Sequence, residues 1–157
     1  MDSKKKIIVI GVGNILMSDE GLGVRAVELL QKSVRDENIK IIDAGTSLQR
    51  ALTLTQGFEK MLIIDAIRSG KPAGSIHCFT LEELEQGKTG HMQLMLSLHE
   101  IDAPKAIAME RLVAKLPGEI IFLGMEPERI APGMELSRAV QEKMDLLVSE
   151  IKKELEK

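Results

Sequence analysis

The sequence predicts a mostly parallel α/β fold, and three observations carry the prediction. Apolar runs of strand length at residues 7–10, 39–43 and 61–64 alternate with segments of helical periodicity. The first and third runs, I-I-V-I and M-L-I-I, are unbroken rather than alternating, as in strands covered on both faces. All three runs end near acids, so the intervening helices read as right-handed crossovers that return the chain to one sheet edge. The 157 residues are expected to form one α/β domain, 1–157, large enough to bury a core without staples.

Taken in order, Ile7, Ile8, Val9 and Ile10 are four β-branched residues and form the first strand. It breaks at Gly11-Val12-Gly13-Asn14, a loop that can fold tightly because glycine permits positive φ and asparagine tolerates it. Ser18 or Asp19 is placed to cap the helix that follows, from Glu20 to about Val34, where Val24, Val27, Leu30 and Val34 share a face. Residues 39–43 are strand two. Ser47, after a turn at residues 44–46, caps a helix carrying Leu48, Ala51, Leu52 and Thr55, which Gly57 stops. Residues 61–64 are strand three, ending in Asp65. Gly70, Pro72 and Gly74 mark a connection too short for a crossover helix, so residues 75–80 are predicted to be an antiparallel fourth strand. A helical turn at 81–84 precedes residues 87–99, which lack clean periodicity and are expected to form a mobile functional loop. Asp102 and Pro104 open a helix whose expected core face is Met109, Leu112, Val113 and Leu116, closed by Pro117-Gly118. Residues 119–123 make the fifth strand. A last helix from near Leu136 carries Val140, Met144, Leu147, Val148, Ile151 and Leu155 on one stripe.

Composition excludes several classes. A net charge of −3 with scattered Lys and Arg gives no basic stripe, and 2% aromatics leave no stacking platform, so nucleic acid is not an expected partner. A single cysteine rules out an internal disulfide framework and fits a reducing compartment, hence an expected cytoplasmic location. The lysines at 4–6 before an apolar run mimic a signal peptide, but Asn14, Ser18, Asp19 and Glu20 interrupt it. No apolar stretch is long enough to span a membrane, and no membrane partner is expected.

The sequence has no G-x-S-x-G, H-E-x-x-H or C-x-x-C, so its chemistry must be assembled by the fold. A dinucleotide fingerprint also fails: Leu16 stands where the third glycine belongs, and Asp19 and Glu20 oppose a phosphate. A nucleotide-binding module, with Asp43 as the ribose acid, is therefore the lesser alternative. If strands one and three are neighbours, Glu20 and Asp65 face one another across the carboxyl edge, where two carboxylates call for a cation. A histidine from residues 87–99, His91 or His99, would add a nitrogen donor and leave open positions. The plainer reading of these acids is helix capping and ordinary loop residues, and of His99 a capping or solvent-facing side chain. His77 alternates within a strand and reads as structural. Cys78 lacks a nearby cation or helix start and reads as an inert, partly buried thiol.

Four segments together resemble the hydrogenase maturation endopeptidases over nearly the whole chain: residues 11–21 (G-V-G-N-I-L-M-S-D-E-G), 43–46 (D-A-G-T), 64–66 (I-D-A) and 122–127 (F-L-G-M-E-P). The resemblance implies a three-layer α/β/α sandwich around a mostly parallel five-stranded sheet with one antiparallel strand. It implies removal of the C-terminal extension of a nickel-iron hydrogenase large-subunit precursor after nickel insertion, so nickel arrives with the substrate. By resemblance, Glu20, Asp65 and His99 are the nickel-contacting and catalytic residues, and Asp43, with Gly45 and Asn14, lies in the substrate cleft. Residues 82–98 have no residue-by-residue match, so His91 stands as a rival; His99 is preferred because it directly precedes a helix. A protein that reads nickel on the precursor without cutting is the alternative function.

Overall fold

The structure is a computed structural model and describes residues 3–90, 92–94 and 103–157. Among the described residues the elements are, in order, β1 (Ile7–Gly11), a 3₁₀ turn (Ser18–Gly21), α1 (Leu22–Ser33), β2 (Ile39–Asp43), α2 (Leu48–Leu52), β3 (Lys60–Arg68), β4 (Ile76–Thr80), α3 (Leu81–Glu85), β5 (Gln93–Leu94), α4 (Ala103–Arg111), β6 (Glu119–Met125), α5 (Arg138–Gln141) and α6 (Met144–Leu155). The main sheet has the order β2-β1-β3-β6-β4. β1, β2, β3 and β6 are parallel and β4 is antiparallel to β6, so the expected mostly parallel five-stranded sheet is present. β5, not expected from the sequence, pairs antiparallel with the far end of β3.

Side chains alternate across the sheet into two cores, which makes three layers. On one face Ile8, Ile10, Ile63 and Phe122 pack with Leu48 and Leu52 of α2 and with Ala106 and Ile107 of α4. On the other, Val9, Leu62, Ile64 and Leu123 pack with Leu22, Val27 and Leu30 of α1 and with Leu147 and Ile151 of α6. At about 2 kcal/mol for each large aliphatic side chain removed from water, this double coverage explains why Ile7–Ile10 of β1 and Met61–Ile64 of β3 are unbroken apolar runs. Phe79 and Phe122, opposite one another in β4 and β6, stack with centroids 5.4 Å apart.

Three local expectations are corrected. β3 runs on through Arg68 rather than ending at residue 64, because β6 pairs with it as far as Met125 and β5 pairs with Ile67 and Arg68. The core face of α4 is Ala103, Ala106 and Ile107; Leu112 and Val113 are 85% and 79% exposed and Met109 is also exposed, leaving only Leu116 buried as expected. The helix unwinds after Arg111 into a turn closed by Val113 N–H to Glu110 O (3.0 Å), which breaks the periodicity that would have buried those residues. Neither Ser18 nor Asp19 caps a helix with its side chain. Ser47 does cap α2, and Thr80 with Glu83 forms a capping box on α3.

The amino end of the sheet carries a buried cation. Lys60 is fully buried, donates to the carbonyl of Glu154 (2.8 Å) and to its carboxylate (3.1 Å), and lies 3.4 Å from Glu119. Burial alone would raise the Glu154 carboxyl, but hydrogen bonds from Lys157 and Lys60 outweigh it and hold it below the ordinary value. We expect Lys60→Met to cost about 3 kcal/mol, since it leaves a buried carboxylate and carbonyl facing a methyl group. Urea unfolding checks this; a loss under about 1 kcal/mol would mean that the lysine contributes little beyond its apolar stem.

Candidate active site

The carboxyl edge of the sheet is built by staggered strand ends. Asp43, Gly11, Ile64 and Leu123 form one row across β2, β1, β3 and β6. β1 leaves the sheet at that row, whereas β3 and β6 continue, so Asp65 lies one residue beyond the last β1 partner, opposite Gly124. β3 therefore projects past β1, and the loop leaving β1 fills the space beside Asp65. Val12 N–H still bonds Ile64 O (2.9 Å), after which Gly13 N–H turns to Gly45 O (2.7 Å). The next turns bring the 3₁₀ segment, with Glu20, back against β3.

Two glycines permit this crowding. Gly13 has φ +148°, and a Cβ there would stand 2.0 Å from Glu20 O. Gly124 sits so close under β3 that its Cβ would meet Asp65 O at 2.0 Å. Positive φ among non-glycine residues falls at Ser18, not at Asn14 as the loop composition suggested. Asn14 instead uses Oδ1 to accept from Leu16 N–H (3.0 Å).

Glu20 and Asp65 are each 1% exposed, and one Asp65 oxygen accepts from Ala66 N–H (2.8 Å). Asp43 is exposed and closes a turn by accepting from Gly45 N–H (2.8 Å); both residues line an open cleft with Gln31 and Arg50. Adjacent strands lie about 4.8 Å apart, so Asp43 and Asp65 stand roughly 10 Å from each other across β1. His99 and His91 fall outside the described residues. The described chain borders that segment at Leu94, paired with Ile67 two residues along from Asp65, and at Ala103 where α4 begins. Among the described residues no three His, Cys, Asp or Glu side chains form a metal cluster. Glu20 and Asp65 are hard oxygen donors of a kind that suits a divalent cation, but two donors leave its shell to be completed from elsewhere.

Two polar centres near this edge were not anticipated. Asp19, fully buried, accepts through Oδ2 from the N–H groups of Glu128 (2.9 Å) and Arg129 (2.8 Å) and from the Ser137 hydroxyl (2.7 Å), and through Oδ1 from Ser137 N–H (2.7 Å). Glu126 receives the N–H groups of Ser69 (2.9 Å) and Gly70 (3.1 Å) and the Ser69 hydroxyl (2.9 Å), and pairs with His77 Nε2 (3.0 Å). Ser69 Oγ approaches the same His77 nitrogen (3.3 Å), so serine and glutamate share one ring atom and no relay of the serine-protease kind exists here. His77, read from its alternation in the strand as structural, is buried and held by Glu126. Cys78 is exposed as a residue, while partial desolvation of its thiol and the nearby Glu154 push its pKa up, which fits an inert group. The sequence signals for Asp19 and Glu126 are their places inside the D-E-G and G-M-E-P segments.

A family model described as hydrogenase maturation protease matches residues 24–154. The chain belongs to the hydrogenase maturation protease family. It is 31% identical over 138 residues to the hydrogenase 2 maturation protease of Escherichia coli, covering 87% of this chain and 82% of that protein. It is 28% identical over 155 residues to the hydrogenase expression/formation protein HupD of Thiocapsa roseopersicina, covering 87% of this chain and 68% of that one. Among solved structures, the hydrogenase maturating endopeptidase HybD from E. coli superposes with a TM-score of 0.80 at 25% identity, over 96% of this chain and 92% of that chain. The NiFe hydrogenase maturation protease HybD from Thermococcus kodakarensis gives 0.77 at 27% identity, over 96% and 99%. The protease has no helix, among the described residues, long and apolar enough to cross a membrane.

Two outcomes test this geometry. Gly124→Ala is expected to destabilise the protease by about 3 kcal/mol, because the added methyl group meets a backbone oxygen that cannot swing aside; thermal unfolding by circular dichroism measures it. The second concerns Glu126. Burial raises its carboxyl, but hydrogen bonds from His77, Ser69 and Gly70 outweigh burial and bring it below the ordinary glutamate value. A depressed carboxylate stabilises the fold above its unfolded pKa of about 4.3, and that contribution disappears as pH falls through the lower folded value. The urea midpoint should therefore fall below about pH 4.3 by less in Glu126→Gln than in the wild type; equal losses would remove Glu126 from the acid response.

Proposed function

We propose that the protease removes the C-terminal extension of a nickel-iron hydrogenase large-subunit precursor, acting only when the precursor carries nickel. The observation that carries this reading is a pair of buried carboxylates, Glu20 and Asp65, at the rim of a sheet belonging to this family. In the proposed site they and His99 contact nickel borne by the substrate, with Asp43, Gly45 and Asn14 along the cleft that receives the polypeptide. Buried carboxylates are held by surrounding backbone rather than by solvent, so they need little reorganisation when a cation arrives. Two oxygens and one imidazole leave positions that ligands of the precursor complete. Nickel on the precursor then supplies the fixed point that brings the scissile bond into reach, a gain in effective concentration rather than a new contact area. No resident metal is required on this reading, and the single cysteine fits processing in the cytoplasm.

Purified protease mixed with purified nickel-loaded precursor should suffice for cleavage, and nickel-free precursor should stay intact. Glu20→Ala, Asp65→Ala and His99→Ala are each expected to abolish processing, with circular dichroism run beside the assay to show that each variant is folded. Near wild-type cleavage by all three variants would remove the site assignment. A wild type that binds loaded precursor and never cuts it would establish the alternative, a protein that grips the precursor for another enzyme. A nucleotide-binding module would instead show a melting shift with NAD, since a ligand at about one hundred times its dissociation constant adds about 2.7 kcal/mol.

A further inference from the structure

Asp19 does more than occupy the residue before Glu20. Its four partner groups are all donors, three of them backbone N–H groups, and the acceptor oxygens of its carboxyl group meet every one of them. Its own N–H donates to Arg129 O (3.1 Å). The preceding residue is held as firmly: Ser18 N–H donates to Gly133 O (2.8 Å), its hydroxyl donates to Glu135 O (2.7 Å), and Arg129 Nε donates to that hydroxyl (3.1 Å). Ser18 is also the single described non-glycine residue with positive φ, at 53°, a conformation that persists only when its surroundings over-determine it. On the other side of Glu20, Gly21 lies against the backbone of Ile15, and Gly13 lies against the Glu20 carbonyl. The backbone on either side of Glu20 is thus tied to residues 128–137 and to the loop from β1. Charge-assisted hydrogen bonds to a buried carboxylate are the strong members of this set.

We propose that Asp19 is a positioning residue for Glu20: its carboxylate fastens the 3₁₀ segment to the strap at residues 128–137, so that the orientation of Glu20 is set by a loop on the far side of the sequence. The inference rests on the reading that Glu20 contacts the nickel of the precursor. Asp19→Asn is the informative change, because an amide must point one donor at a donor and so loses at least one of the four bonds. Ser137→Ala removes the hydroxyl partner but keeps the N–H, and Ser137→Thr restores the hydroxyl.

The test uses the full chain, at a temperature where circular dichroism shows each variant folded, and measures cleavage of nickel-loaded precursor per folded molecule together with calorimetric titration of Ni²⁺ into the protease alone. Asp19→Asn is expected to raise KM for the loaded precursor and weaken Ni²⁺ binding about tenfold, with kcat moving less; Ser137→Ala should show a smaller loss of the same kind and Ser137→Thr should recover it. A stability role alone lowers the melting temperature and leaves these constants unchanged, and that result would overturn the proposal. Should Asp19→Asn not fold, the Ser137 pair decides by the same criterion. Glu20→Gln separates the two ideas: if it cleaves normally, the reading of Glu20 fails and the positioning role with it; if it is inactive while Asp19→Asn matches the wild type, only the positioning role fails.

Discussion

A strand covered on both faces imposes the order of everything around it. β3 is buried from Lys60 to Ile67, so its backbone must be paired on each side and its side chains must be apolar wherever a helix lies over them. Its polar residues Lys60 and Asp65 flank the apolar run Met61–Ile64, and each comes with a built environment. Lys60 at the amino end reaches the last turn of α6 and ties the chain's final helix to the sheet. Asp65 at the carboxyl end lies just past the point where β1 departs, under the backbone of Gly124 on one side and beside the returning loop on the other. One strand thus joins a stabilising ion pair to the candidate active site, and the unbroken apolar stretch Met61–Ile64 between them separates the two charges by low-dielectric protein.

At the carboxyl edge, backbone contacts matter more than side-chain contacts. Gly13 against Glu20 and Gly124 against Asp65 place the main chain where any side chain would collide. The two acids at this edge are therefore positioned by packed backbone, which moves in discrete steps rather than continuously. The buried hubs Asp19 and Glu126 extend the same principle, since each spends its carboxylate mainly on N–H groups of loops, those at residues 128–137 and 69–70 respectively. These loops thereby become part of the scaffold, and the open cleft beside α2 is lined by Asp43 and Gly45.

Strand identity and direction were legible because two-sided burial demands runs such as I-I-V-I that few other elements use, and because the short link after Arg68 forbids a crossover helix. Strand ends were not, since a ladder continues as long as a neighbour does: β3 and β6 extend one another to Met125, and β5 extends β3 to Arg68. The face of α4 was misread for a similar reason. Leu112 and Val113 have helical spacing, yet the helix unwinds at Arg111, and the sheet beneath is already filled by Ala103, Ala106, Ile107 and α2.

By itself the sequence determined the alternation of strands and helices, the absence of a nucleotide fingerprint, and the placement of Glu20 and Asp65 near strand ends on one rim, all of which follow from local periodicity and residue chemistry. Only the tertiary structure decided what Asp19 does. A capping acid and a buried hub look the same in a local window, and Asp19 finds its partners 109 to 118 residues away. The physical reason is that a buried carboxylate must be satisfied by whichever donors the fold delivers, and every loop residue but proline carries an N–H, so nothing in the side chains of Glu128 and Arg129 announces them.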